Sequence, residues 1–173
     1  QMYGDARLAH FKPIAPRAAT IPQLEWGHER QFISHVKEVV EKTKMLQYQS
    51  HLDGDTVVSP DSYDAALYAA GGNFAGIDAI FKGEIDRSFV LCRPPGHHSN
   101  AGLARGFCIF NNIVLATHYL VKEKNLQRVA IVDFDAHAGN GSEDMLYDGL
   151  DQGEVLLIST HQHPRTLYPG TCY

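Results

Sequence analysis

Two short stretches hold most of the residues in this chain that could do chemistry. One is Arg93-Pro94-Pro95-Gly96-His97-His98-Ser99, in which two adjacent histidines follow a rigid turn. Pro94 and Pro95 fix φ, and Gly96 permits a sharp change of direction. The other runs from Val132 to Gly141, "VDFDAHAGNG", and carries Asp-x-Asp-x-His at the end of an apolar run. Side chains alternate along an extended strand, so Asp133, Asp135 and His137 can share one side while Phe134 and Ala136 take the other. Two carboxylates and an imidazole on one face suit a divalent metal with mixed oxygen and nitrogen ligands. A lone histidine pair is more often a capped loop feature, and an isolated Asp-x-Asp-x-His is as often a solvated strand end. On two strand ends together, they favour a reaction centre. Gly139 and Gly141 flank Asn140 and are expected to form a tight turn with positive φ, from which Asn140 reaches back to the cluster.

The elements that must position these residues read as an α/β pattern. The first 30 residues, with prolines at 13, 16 and 22, form an irregular entry segment. Glu29 to Tyr48 predicts a helix, with Phe32, Val36, Val39, Val40 and Met45 at helical spacing. "HLDGDTVVSP" predicts a loop. Ser59 and Pro60 open a helix that runs to Gly71-Gly72, and a second helix follows from Ala75 to Phe81. "SFVLC" (88–92) reads as a short strand. "NNIVLATHYLVKEK" reads as a helix with Ile113, Ala116, Leu120 and Val121 on one side. "RVAIVDFD" and "EVLLIS" are apolar enough to be strands buried on both faces, as in a parallel sheet. Strands alternating with helices indicate an α/β fold. Ligands in such folds sit beyond the carboxyl ends of the strands. Three strand ends lead to His97-His98, to the Asp133–Asn140 cluster, and to His161 and His163, which read as loop or supporting residues.

Composition narrows the function classes. A chain of 173 residues can bury one sizeable core. A net charge of −5 argues against a broad basic surface, so no direct nucleic-acid partner is expected. Cys92, Cys108 and Cys172 are odd in number and lack a CxxC spacing, which fits a reducing, cytoplasmic location rather than a disulfide framework. No apolar run reaches membrane-spanning length, so no membrane partner is expected. The chain starts at Gln1 and stops just after a turn signal, "YPGTCY". Residues 1–173 are therefore expected to be a single domain, incomplete at the C-terminus and at the N-terminus.

Five stretches, "SYDAALYAAGG", "RPPGHH", "GFCIFNN", "RVAIVDFDAHAGNG" and "VLLISTHQHPRTLYPGT", lie in order over residues 55–172. Together they resemble the zinc-dependent histone deacetylase family, in its class II-like and bacterial acetylpolyamine amidohydrolase branches. "PIAPR", ending at Arg17, hints at that family's N-terminal arginine motif. The resemblance implies a deacetylase-like domain of the arginase/deacetylase-type three-layer α/β fold with a central parallel sheet, here its N-terminal part. It implies Zn2+ as cofactor, with Asp135 and His137 as two of three protein ligands. His97 and His98 correspond to the tandem catalytic histidines, with Asp133 bonded to His97 and Asn140 to His98. Gly106, Phe107 and Tyr168 correspond to a narrow acyl-lysine channel, and Asp55 to a grip on the substrate backbone. The backbone around Asp133, Asp135, His137, Ser159 and Thr160 resembles the family's structural potassium (K+) site.

The implied reaction removes acetyl or acyl groups from lysine or polyamine amines and releases acetate. A carboxylate partner and an amide partner should separate the two histidines, making His98 the base and His97 an orienting, electrostatic group. Three departures stand out. Ala138 replaces a family histidine. No acid follows Glu154, so the family's third zinc ligand is absent. The oxyanion-stabilising tyrosine of a glycine-rich motif is absent too. The remainder of the same protein or a second chain is expected to complete the site, and a homo-oligomer is open. Two rivals remain. A ureohydrolase-like enzyme with two manganese ions matches "DAHA", although its next carboxylate falls at Gly139. The other is a non-catalytic fragment that binds acyl-lysine or a partner.

Overall fold

The structure is a computed structural model that describes residues 11–147 and 153–172. Helix α1 (Ile21–Leu24) is short and closed by a capping box: Thr20 accepts from the Gln23 N–H, and the Gln23 side chain accepts from the Thr20 N–H. Helix α2 (Arg30–Leu46) buries Phe32, Ile33, Val36, Val40 and Thr43, an i, i+4 stripe facing the core. Met45 departs from the expected stripe. It lies exposed in the last turn, beyond the core.

The segment read as a loop instead contains a small antiparallel hairpin, β1 (Ser50–His51) with β2 (Val57–Val58). Asp53 makes the turn, its Oδ1 accepting from the N–H groups of Asp55 and Thr56 at 3.1 and 2.7 Å. Helix α3 (Ser62–Phe81) starts two residues later than Pro60 and runs unbroken through both glycines. The expected break at Gly71-Gly72 is thus corrected. A Cβ at Gly71 would collide with the Arg17–Ala19 backbone, which crosses the helix there. Glycine marks close approach at this point, not a helix end.

Helix α4 (Asn112–Lys122) is capped by Asn111, whose Oδ1 accepts from the Val114 N–H at 3.2 Å. It packs against α3 and against strand β3 (Arg128–Asp133), so it is covered on more than one side. Its buried residues are Asn112, Val114, Leu115, Ala116, Thr117, Tyr119 and Val121, whereas Ile113 is exposed. The single face expected from the sequence is therefore displaced. Strand β3 pairs in parallel with β4 (Glu154–Ser159), in register from Arg128 opposite Glu154 to Asp133 opposite Ser159. One sheet face is open among the described residues, with Val132 60% and Leu156 59% exposed, contrary to burial on both faces.

Ser88–Cys92 is not a strand. Phe89 and Leu91 are exposed, and no described segment pairs with this stretch. Strand-forming residues without a ladder partner leave only extended chain. Among the described residues, no helix is long and apolar enough to cross a membrane.

A histidine, His28, packs into the core. His28 is 3% exposed and packs against Phe32 and Phe110, with ring centroids 5.5 and 5.3 Å away. Its Nδ1–H donates to the Asn100 carbonyl at 2.9 Å, and its Nε2 accepts from the Asn111 N–H at 2.9 Å. Both nitrogens are thus satisfied by the neutral ring. Burial pushes its pKa from 6.5 down to about 4. The neutral form is favoured in the fold, so this stabilisation is complete above pH 6.5 and is lost as pH falls toward 4. The loss is worth about 3 kcal/mol. Urea unfolding at pH 7 and pH 4.5 should show a smaller acid loss in His28→Gln than in the parent, by a large part of that amount. Equal losses in both would refute the assignment.

Candidate active site

The loop after Arg93 and the end of β3 meet although they lie far apart in sequence. His97 Nδ1 donates to Asp133 Oδ2 at 2.8 Å. His98 Nδ1 donates to Asn140 Oδ1 at 2.8 Å. The two histidine rings lie 4.0 Å apart, and the His137 ring stands edge-on to His98 at 5.9 Å. Asn140 opens helix α5 (Asn140–Leu146), behind Gly139 as its cap residue.

The reason for the flanking glycines differs from the expected one. Gly139 has φ −77°, and Gly141 is not in the positive-φ region. Both are there for space. A Cβ at Gly139 would sit 2.6 Å from Asp133 Oδ2 and 3.2 Å from His97 Nδ1, and one at Gly141 would overlap the Ser99 carbonyl. The left-handed backbone occurs instead at Gly106 (φ 58°) and Phe107 (φ 65°). Gly106 lies against the His98 ring so closely that any side chain would collide with it. Phe107 is held in its uncommon conformation by its N–H, which donates to Thr56 Oγ1 at 3.2 Å. That bond ties it to the hairpin turn that bears Asp55. Phe107 is largely exposed, and Tyr168 stands edge-on to His98 at 4.8 Å. Asp55 is an exposed residue of that turn, close enough to Tyr168 to act on it electrostatically.

Asp135 and His137 are half exposed on the open side of the cluster. Asp135 Oδ1 accepts from the His137 N–H at 2.8 Å and lies 2.9 Å from His137 Nδ1. A tetrahedral ion with bonds of about 2.0–2.2 Å spaces its ligand atoms by about 3.4 Å, so these two donors need only a small spread to share one. Among the described residues, no third His, Cys, Asp or Glu joins them in a ready cage. The pair therefore fits as two ligands of a larger set. Ser159 Oγ pairs with His161 Nδ1 at 2.7 Å, and both line an open cavity of about 410 Å³ with Asp133. The Asp133 carbonyl accepts from the Thr160 N–H at 2.9 Å.

The electrostatics separate the groups. Burial works against ionisation of Asp133, but the His97 hydrogen bond and the Asp135 N–H outweigh it and hold the carboxyl below its ordinary range. For Asp135, burial is likewise outweighed by hydrogen bonds from the His137 backbone and ring. Burial lowers the pKa of His98, with the neighbouring His97 and His137 adding to it against the opposing Asn140 bond. The ring is thus neutral at pH 7, with its proton on Nδ1 and its Nε2 lone pair free. Cys108 lies beneath, its Sγ accepting from the His98 N–H at 3.5 Å. Burial pushes that thiol up to about 11, so it is an inert packing group. Sequence reasoning missed this support and the buried set His28, Ser99, Asn111 and Ser142. Only Asn111 carried a signal, a polar residue within the apolar run "CIFNNIV"; His28, Ser99 and Ser142 lie in polar stretches that announce nothing.

Comparison with known proteins gives a consistent result. A family model described as "Histone deacetylase domain" matches residues 2–173. A probable deacetylase of Archaeoglobus fulgidus is 39% identical over 140 residues, which cover 80% of this chain and 37% of that protein. The polyamine deacetylase HDAC10 of Danio rerio is 33% identical over 153 residues, 88% of this chain and 22% of the relative. The crystal structure of the HDA15 HD domain superposes with a TM-score of 0.86 at 31% identity, covering 98% of this chain and 47% of that one. The chain thus spans less than half the length of these proteins. Its fold is part of the arginase/deacetylase type.

Proposed function

The chain belongs to the histone deacetylase domain family, and from that premise we propose that it supplies the histidine pair and two metal ligands of a zinc-dependent amidohydrolase. Its substrates would be acetylated or acylated lysine or polyamine amines, and its product acetate. The observation that carries the reading is the pair of unequal histidines, His97 on a carboxylate and His98 on an amide, beside Asp135 and His137.

Asp135 and His137 would hold zinc, with the third ligand supplied from outside the described residues. Bound there, zinc would polarise the acyl carbonyl and acidify the attacking water. His98 Nε2 accepts the proton of that water, since its Nδ1 is committed to Asn140, and passes it to the leaving amine. His97, oriented by its bond to Asp133, faces the negative charge that develops on the substrate. Gly106, Phe107 and Tyr168 would form the acyl channel, with Asp55 at its rim. Ser159 and the neighbouring backbone would hold a structural potassium ion.

The manganese alternative lacks room for its bridging carboxylate. The matching position is Gly139, where even a Cβ crowds Asp133. The test is metal analysis of the native protein together with acetate release from an acetyl-lysine peptide and from an acetylated diamine. One zinc per molecule and chelator-sensitive release are expected. Two manganese ions would favour the ureohydrolase reading. Absence of both metal and turnover would favour a binding fragment.

A further inference from the structure

The buried His28 does more than fill the core. Resting on the amidohydrolase reading above, we propose that His28 is a positioning residue that sets the geometry of the catalytic histidine pair from the linker between α1 and α2. The chain of contacts is continuous. His28 Nε2 fixes the Asn111 N–H, and His28 Nδ1–H fixes the Asn100 carbonyl, two residues after His98. Asn111 Nδ2 then donates to the Ser99 carbonyl at 2.9 Å and to Ser142 Oγ at 3.1 Å. Ser99 directly follows His98, and its Oγ donates to the Ile109 carbonyl at 2.7 Å. The Ser142 N–H donates to the His97 carbonyl at 3.1 Å, and Ser142 lies two residues after Asn140. His28, Ser99, Asn111 and Ser142 are all buried, so losing one partner leaves the other's polar group unsatisfied.

One ring thus clamps both sides of the site: the loop bearing His97 and His98, and the start of α5 bearing Asn140. The clamp works in one tautomer only, because a donor and an acceptor are needed at opposite nitrogens. A glutamine at this position also offers one of each, and a leucine offers neither.

The experiment compares His28→Leu and His28→Gln with the parent holoenzyme. Rates of acetate release are normalised to folded, zinc-loaded protein. In the Leu variant kcat is expected to fall by about 10²-fold with KM little changed, the scale of a 1 Å misplacement. The Gln variant is expected to recover most of that loss. A purely structural role would lower melting temperature and yield in both variants but leave normalised kcat near the parent value, and that result would overturn the proposal. Nitrogen-15 NMR of the parent gives a readout independent of turnover. A His28 ring protonated at Nδ1 alone at pH 7 is expected, and an Nε2–H or doubly protonated ring would equally overturn it. A parent protein that releases no acetate would count against the amidohydrolase reading, with the NMR result still deciding the clamp.

Discussion

Replacing His98 with alanine is expected to lower kcat for acetate release by about 10²- to 10⁴-fold, the range for loss of a general base. Zinc should stay bound, because His98 is not among the metal donors. The argument rests on how the ring is held. Asn140 Oδ1 takes the Nδ1 proton at 2.8 Å, leaving Nε2 as the only lone pair. Burial disfavours the charged ring, so the His98 ring is neutral and able to accept a proton at neutral pH. His97 is held differently, its Nδ1 bonded to the Asp133 carboxylate rather than to an amide. The measurement is steady-state kinetics alongside metal content of the same sample. A His98→Ala protein with zinc bound and kcat within threefold of the parent would end the assignment of His98 as base.

Replacing Asp135 with asparagine should act on the metal instead. The carboxylate is ionised at neutral pH, since the His137 hydrogen bonds outweigh the cost of its partial burial. Asparagine keeps the oxygen that accepts from the His137 N–H, so the local turn should survive. What it removes is the negative charge of the proposed ligand. Losing a residue that merely supports a ligand costs about 10- to 100-fold in metal affinity, so losing a ligand should exceed about 100-fold. Turnover should vanish in parallel at limiting zinc. Competition with a chromophoric chelator measures the affinity, and circular dichroism checks the fold. An affinity for zinc equal to that of the parent would remove Asp135 from the ligand set.

These expectations were readable to different depths. Asp133, Asp135 and His137 lie within five residues, so their clustering is local, but the expected strand alternation does not produce it: β3 ends at Asp133, and turns in which the Asp135 N–H donates to Asp133 Oδ1 and the His137 N–H to Asp135 Oδ1 carry the run onward. The α/β pattern and helix α2 follow from local sequence pattern, and the two strands from their apolar runs. The misreadings share a cause. Gly71-Gly72 reads as a helix stop because glycine is locally unfavourable in helices, yet the Arg17–Ala19 backbone crossing α3 makes it necessary. "SFVLC" reads as a strand from its residue types, but strand formation needs a partner that residue types do not announce.

By itself the sequence determined the chemistry on offer: a rigid turn with two histidines, an Asp-x-Asp-x-His strand end, and a family pattern tying them together. No local pattern joins His97 to Asp133 or His98 to Asn140 across 36 and 42 residues; the family resemblance implied those pairings, and tertiary structure makes them. It also decided why Gly106, Gly139 and Gly141 are glycines and why a histidine near the start of the described chain clamps the site. The reason is physical. Periodicity and propensity act over a few residues and survive in one dimension. Close approach, burial and the sharing of a single proton between two distant groups exist only once the chain has folded back on itself.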